Sequence, residues 1–282
     1  MPELPEVETV CRGLNRLTLG QILQGGEVLH PSTLAYPLSV AAFQQALTGL
    51  QFQAWQRRGK YLLGQLINPK GQSASVLGIH LRMTGQLLWV NQAEMRTPHT
   101  RLCFPCQSGQ ELRFIDIRTF GRIWYVLPGE SIESVITGLK RLGPEPFSPD
   151  FSPAYLQSRL GRSQRPLKTA LLDQGLVAGL GNIYADEVLF QSGILPTRTG
   201  SQLQAKYWPL LHQTILQVLE TAIAAGGTTF SNFLDPTGIN GNYGGQAWVY
   251  GRKGETCRVC DTPIERIKLA GRSSHFCPTC QR

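Results

Sequence analysis

The sequence predicts an α+β chain of several domains, and three observations carry the prediction. Strand-like runs fill the first half, the hydrophobic period turns helical in the second, and the tail holds four cysteines in two close pairs. A length of 282 residues also exceeds the usual size of one hydrophobic core, so two or three domains are expected.

The first element is a helix. From Pro5 onward, Val7, Val10, Cys11, Leu14 and Leu17 recur at three- and four-residue steps, and Gly20 follows as a stop signal. Between about residues 22 and 126 the pattern is of short β runs broken by Gly, Pro and Asn, such as 61–67, 86–90 and 122–127; this reads as a β-sandwich or a barrel. Pro144, Pro146, Pro149 and Pro153 then punctuate a stretch that suits neither a regular helix nor a central strand, so a linker is expected over 141–153. Helices are predicted beyond it at 153–160, 166–174, 182–191 and 201–225. The last opens on a Ser201-x-x-Gln204 capping box, with Pro209 either kinking it or moving its start. Residues 235–245, rich in Gly and Asn, read as a flexible loop. The domains are therefore placed at 1–140, 154–235 and 236–282.

Cys257-x2-Cys260 and Cys277-x2-Cys280 stand sixteen residues apart, the spacing at which two thiolate knuckles close a tetrahedron around one structural zinc ion. A segment this short has no core of its own, and the metal would supply its folding energy. His275 lies beside a ligand but is not needed as one, and is read as a surface residue or a support for the ligands. Ala270-Gly271 is the best turn between the knuckles and puts Arg272 near a hairpin tip, where it either grips phosphate or a groove or is simply solvated. Cys103-x2-Cys106 has no second thiol pair and no βαβ surroundings, so these are read as ordinary, partly buried cysteines.

The net charge of +8 should produce a positive field that attracts polyanions, nucleic acid first among them. The N-terminal residues are acidic and lack an apolar run, and no later run reaches the length of a membrane span. The expectation is a cytoplasmic protein with no signal peptide and no membrane partner. Pro2 is small enough for Met1 to be removed, which would expose a secondary amine. An α-amine titrates near ~8 rather than the ~10.4 of lysine, so it is a candidate Schiff-base nucleophile, with Glu3 as a general acid and Glu6 on the same helical face. Carboxylates in a first helical turn also complement the helix dipole, and on these residues alone that reading stands beside the catalytic one.

Several motifs decide between them. Met1-Pro2-Glu3-Leu4-Pro5-Glu6-Val7-Glu8-Thr9, Arg58-Gly59-Lys60-Tyr61-Leu62, His80-Leu81-Arg82-Met83-Thr84-Gly85, Asp116-Ile117-Arg118-Thr119-Phe120-Gly121, Gly179-Leu180-Gly181-Asn182-Ile183-Tyr184-Ala185 and Val249-Tyr250-Gly251-Arg252-Lys253-Gly254-Glu255, with the cysteine module, span the whole chain. Together they resemble the bacterial formamidopyrimidine-DNA glycosylase (8-oxoguanine DNA glycosylase/AP lyase) family. The resemblance implies an N-terminal β-sandwich domain, a helix-two-turn-helix domain and a C-terminal zinc ribbon, with damaged double-stranded DNA bound between the two halves of a monomer.

It also implies roles. Pro2 attacks C1′ of the damaged nucleoside, Glu3 transfers protons, Glu6 supports them, and β and δ eliminations cut the strand. Lys60 and His80 match positions that hold phosphates around the lesion, Lys60 following the basic pair Arg57 and Arg58. Met83, Arg118 and Phe120 match residues that fill the space left by the extruded nucleotide, and Lys168 matches a lysine near the lesion pocket. Asn182 is expected to cap the helix after a glycine-rich double turn and to meet a phosphate there. Gly227-Thr228-Thr229-Phe230-Ser231 falls where the family has its lesion-recognition loop. Arg82 departs from the small residue expected at its position, which suggests a differently shaped local loop. Two other readings are an oxidised-pyrimidine glycosylase of the endonuclease VIII type and a non-catalytic zinc-finger DNA-binding protein. The Glu3-Leu4-Pro5 start and the Leu180-Gly181-Asn182-Ile183 turn favour the purine branch over the first, and the presence of both Pro2 and Glu3 disfavours the second.

Overall fold

The structure is a computed structural model that describes residues 1–282 apart from Leu38 and 229–232, and apart from the side chains of Ser73 and Ala74. The chain divides into two compact units, residues 1–140 with 225–242 and residues 141–224 with 243–282.

In the first unit, helix α1 (Leu4–Leu17) precedes strands β1 (Glu27–Val28) and β2 (Leu34–Tyr36), helix α2 (Val40–Leu47), strands β3 (Gln51–Arg58), β4 (Tyr61–Ile67), β5 (Ser73–His80), β6 (Gly85–Asn91), β7 (Thr100–Pro105), β8 (Gln110–Asp116) and β9 (Arg122–Val126), and the short helix α3 (Ile132–Val135). The strands form a four-stranded sheet ordered β1-β7-β8-β6 and a five-stranded sheet ordered β2-β9-β5-β4-β3. Leu87, Leu102, Leu112 and Phe114 of the first sheet share one core with Phe52, Leu62, Leu77 and Ile123 of the second, so the arrangement is a sandwich and not a barrel. The predicted stripe of α1 works as expected: Val7, Val10, Cys11 and Leu14 pack into that same core.

Residues 225–242 belong here and not with the helices that precede them. Phe233 enters the sandwich core, Trp89 N–H donates to Pro236 O at 2.9 Å, and the Pro236 ring lies against Gly13. The flexible loop expected from 235 is an ordered turn at its start, where the Asp235 carboxylate accepts from the backbone of Thr237 and Ile239 and from the Thr237 hydroxyl.

The second unit holds helices α4 (Pro153–Leu160), α5 (Leu167–Leu171), α6 (Asn182–Gln191) and α7 (Tyr207–Ala224) and the hairpin β10 (Glu265–Leu269) and β11 (Arg272–Phe276). Two helices match their predicted bounds. Helix α5 stops three residues early because Asp173 begins a turn by accepting the Gly175 N–H at 2.9 Å. Helix α7 starts at Tyr207, with Pro209 in its first turn where the missing N–H costs nothing. The Ser201–Gln204 capping box does not form; Thr199 and Gln202 make the box instead, on a short 3-10 turn. The expected linker is bound into this unit: Gly143 N–H donates to Gln174 O at 2.8 Å, Ala178 N–H donates to Pro144 O at 3.0 Å, and Phe151 is buried against His212.

Candidate functional site

The first cluster surrounds the chain start. Glu3, extended at φ −105°, is the N-cap of α1, and Pro5 occupies the first turn. The Glu6 carboxylate accepts two backbone N–H groups, Glu3 at 2.8 Å through Oε2 and Thr228 at 2.8 Å through Oε1. Gly227 has φ +81°, and a β-carbon there would come within 2.9 Å of Glu6 Oε1, so glycine is needed for this approach. Pro2, Glu3 and Glu6 are all buried. Met1 is present, so the Pro2 nitrogen is an amide here and the free amine is that of Met1. Burial holds this amine below its ordinary pKa, Glu3 and Glu6 oppose the shift, and Lys60 and Arg118 reinforce it. The electrostatic neighbourhood of the terminal amine is thus made of four residues singled out from the sequence.

Lys60 follows Gly59 in the β3–β4 turn and is buried. Arg57 of the same basic stretch is engaged elsewhere, its Nε 2.9 Å from Glu8 on α1, which holds the turn against the helix. Met83 is half-buried on the turn before β6, whereas Arg118 and Phe120 are exposed after β8 with the guanidinium 4.6 Å above the ring. Arg82 takes φ +56°, a conformation glycine adopts freely, so the turn accommodates the larger residue at a cost of about 1–2 kcal/mol. Residues 227 and 228 of the suggested recognition loop are described above; 229–231 lie outside the described residues.

His80 is an enclosed ring held by the backbone of its own turn. It is buried at the end of β5 with its ring edge-on to Tyr61, and Nδ1 accepts the Arg82 N–H at 3.0 Å. Burial, with Arg82 and Lys60 nearby, pushes its pKa down to about 3. With Nδ1 accepting from the backbone, the neutral ring carries its proton on Nε2 and keeps one donor there, while it shapes the turn that bears Met83.

The second cluster lies in the other unit, where α6 meets the β10–β11 hairpin. Gln174 staples the preceding double turn, its side chain donating to Leu180 O at 2.7 Å and accepting the Gly179 N–H at 2.9 Å. The N-cap of α6 is Gly181; Asn182 is the first helical residue and makes no cap hydrogen bond, contrary to expectation. Its Nδ2 lies 3.4 Å from Ser273 Oγ instead. Ala270 and Gly271 form the two-residue hairpin turn, both at positive φ, and Arg272 is exposed beside the tip as predicted.

Lys168 is almost fully enclosed, its ammonium paired with Asp186 and 3.1 Å from Ser273 O. An enclosed, neutralised cation is a poor lesion contact, so the expectation for Lys168 is corrected: it secures the hairpin. Asp186 also accepts from Ser274 Oγ and from the backbone and ring of His275, which is therefore buried and not a surface residue. Neighbouring Glu187 accepts the backbone N–H groups of Trp248, Val249 and Tyr250 at 2.8–3.0 Å; burial pushes its pKa up against these three bonds. Sequence reasoning missed both acids. The available signal was two adjacent carboxylates inside the otherwise apolar run 183–190.

The four cysteines of the tail bring their sulfurs within 4.8 Å of one another, with pairs at 3.9, 3.5 and 3.4 Å. A tetrahedron with metal–sulfur bonds of about 2.3 Å has edges of about 3.8 Å, so the set fits one metal ion. It is the only such cluster among the described residues. Cys103 and Cys106 are wholly buried and burial pushes each thiol up to about 12, which makes them inert.

Family models match nearly all of the chain: the formamidopyrimidine-DNA glycosylase N-terminal domain over residues 1–123, the H2TH domain of the same glycosylases over 142–233, and a zinc finger found in FPG and IleRS over 254–282. Formamidopyrimidine-DNA glycosylase of Rippkaea orientalis is 61% identical over the full length of both chains, and that of a Synechocystis species is 59% identical over 100% of this chain and 98% of its own. Among solved structures, Lactococcus lactis Fpg in complex with DNA containing an abasic site superposes with a TM-score of 0.89 at 35% identity over 99% of each chain. The same protein bound to DNA containing an oxidised pyrimidine gives 0.89 at 36% over the whole of both.

Proposed function

Since this chain belongs to the formamidopyrimidine-DNA glycosylase family, we propose that it is a bifunctional DNA glycosylase and AP lyase of base excision repair acting on oxidised purines, 8-oxoguanine and formamidopyrimidines, in double-stranded DNA. The observation that carries the reading is the company of the terminal amine: Glu3, Glu6, Lys60 and Arg118 all act on it, and burial depresses its pKa. Removal of Met1 converts the Pro2 amide into a secondary amine in this setting. The neutral amine then attacks C1′, the N–C1′ bond forming as the glycosidic bond breaks and the base leaves with a proton. Glu3 delivers and takes protons as the sugar ring opens to the Schiff base. Loss of a C2′ proton expels the 3′ phosphate, and a second elimination expels the 5′ phosphate. Lys60 supplies positive charge beside the amine throughout.

Arg118, Phe120 and Met83 are the residues assigned to the vacated stack, and Asn182 and Arg272 to the DNA backbone. The four thiolates of Cys257, Cys260, Cys277 and Cys280 suit zinc, which they would hold as a structural ion without leaving a position for water or substrate. A monomer is sufficient, since each assigned residue comes from one chain. The damaged-DNA partners of the Lactococcus structures support this substrate class, and the oxidised-pyrimidine complex extends the lesions to be tested.

Borohydride trapping on a duplex containing 8-oxoguanine tests the reading, with an oxidised-pyrimidine duplex in parallel. Mass spectrometry should place the reduced adduct on residue 2. An adduct on a lysine of the wild-type protein, or full activity in a protein retaining Met1, contradicts it.

A further inference from the structure

Met83 and the pair Arg118 and Phe120 lie on two separate turns, before β6 and after β8, and one buried carboxylate joins the turns. Asp116, the last residue of β8, is fully enclosed and pairs in register with Gly85. Its Oδ1 accepts the Thr84 hydroxyl and the Arg118 N–H at 3.2 Å, and its Oδ2 accepts the Gly121 N–H at 2.7 Å. Thr84 Oγ1 in turn accepts the same Arg118 N–H at 3.1 Å. The backbone of Asp116 is also committed, its N–H to His99 O at 2.9 Å and its carbonyl to Arg101 Nε at 2.8 Å. Gly121 closes the loop where a β-carbon would sit 2.4 Å from the Phe114 ring and 3.0 Å from Asp116 Oδ2. Neither Thr84 nor Asp116 is exposed as Arg118 and Phe120 are, and the carboxylate is consumed by its internal donors.

We propose that Thr84 and Asp116 are positioning residues that hold the Met83 turn and the Arg118–Phe120 loop as one preformed wedge for the gap left by an extruded nucleotide. This rests on the glycosylase reading above. Ordering two exposed loops when DNA arrives would cost conformational entropy, and a network already in place removes that cost from the extrusion step. The network should therefore matter where a base must be forced out of a stack, and matter little where the base is already unstacked.

The test compares single-turnover excision of 8-oxoguanine from a fully paired duplex and from an unpaired bubble, using the wild type, Thr84→Val, Thr84→Ser and Asp116→Asn. Thr84→Val and Asp116→Asn should slow the paired substrate about ten-fold, the loss expected of one hydrogen bond to a charged group, and the bubble less than two-fold. Thr84→Ser, which keeps the hydroxyl, should restore the paired rate. Melting temperatures identify a variant that fails to fold, and Thr84→Ser with Asp116→Asn then carry the comparison. Equal slowing on both substrates, undiminished rates on the paired duplex, or a serine variant as slow as valine overturns the proposal. A wild-type protein inert on both substrates overturns the glycosylase reading itself, and the wedge with it.

Discussion

Glu6 and Thr228 are 222 positions apart in the chain, and the Glu6 carboxylate accepts the Thr228 N–H at 2.8 Å while its other oxygen accepts the N–H of Glu3. One buried side chain thereby ties the first turn of α1 to the start of the segment that the family resemblance assigns to lesion recognition.

Glu6→Gln places an amide donor against one of these two N–H groups. Stability should fall by about 1.5–3 kcal/mol, and excision should slow while binding to undamaged duplex stays near the wild-type level. Thermal unfolding and single-turnover rates check both. Unchanged values in the two would show that the carboxylate does not bridge the segments in solution.

Burial, with Lys60 and Arg118, holds the Met1 amine below its ordinary pKa against Glu3 and Glu6, and the freed amine of Pro2, one residue on and also buried, should likewise titrate below the amine of a Pro-Glu-Leu peptide measured alongside. Removing a cation reverses part of this, so Lys60→Met should move the midpoint up. A 13C-labelled Pro2 followed by NMR gives both values independently of activity. A midpoint at or above the peptide's contradicts the assigned environment.

Arg118 carries only donors, whereas the Watson–Crick edge of cytosine presents two acceptors and that of adenine one acceptor and an amino donor. Excision should be faster opposite cytosine than opposite adenine, by about five- to 150-fold if about 1–3 kcal/mol of contact is expressed in the transition state. Arg118→Ala should lose most of the difference. Equal wild-type rates on the two duplexes, or an undiminished preference in the variant, removes Arg118 from this role.

Lys168 and Asp186 form an enclosed pair, so Lys168→Met leaves Asp186 without its cation and should destabilise the protein by about 3–5 kcal/mol. Adding Asp186→Asn should recover part of the loss, although Ser274 and His275 lose their charged acceptor. The stable double variant should retain excision if Lys168 only supports the hairpin. A folded double variant with no excision would return the lysine to the lesion pocket.

What the sequence by itself determined were features set by a few neighbouring residues. The apolar stripe of α1, the bounds of α4 and α6, strand β4, the Ala270-Gly271 turn and the cysteine spacing were all legible, because periodicity and turn chemistry act over one or two turns of chain. Tertiary structure decided the fate of each polar residue. In sequence, Lys60 and His80 are candidates for holding phosphate and Lys168 for a place near the lesion pocket, with nothing local to tell their surroundings apart. Yet Lys60 lies beside the terminal amine, Lys168 is neutralised by Asp186, and His80 is buried without charge. The same holds for residues 225–242, which follow a helix of one unit and complete the core of the other. The reason is physical: the free energy of a buried charge depends on its desolvation and on its nearest partner, and folding brings that partner from a distant part of the chain where no local pattern records it.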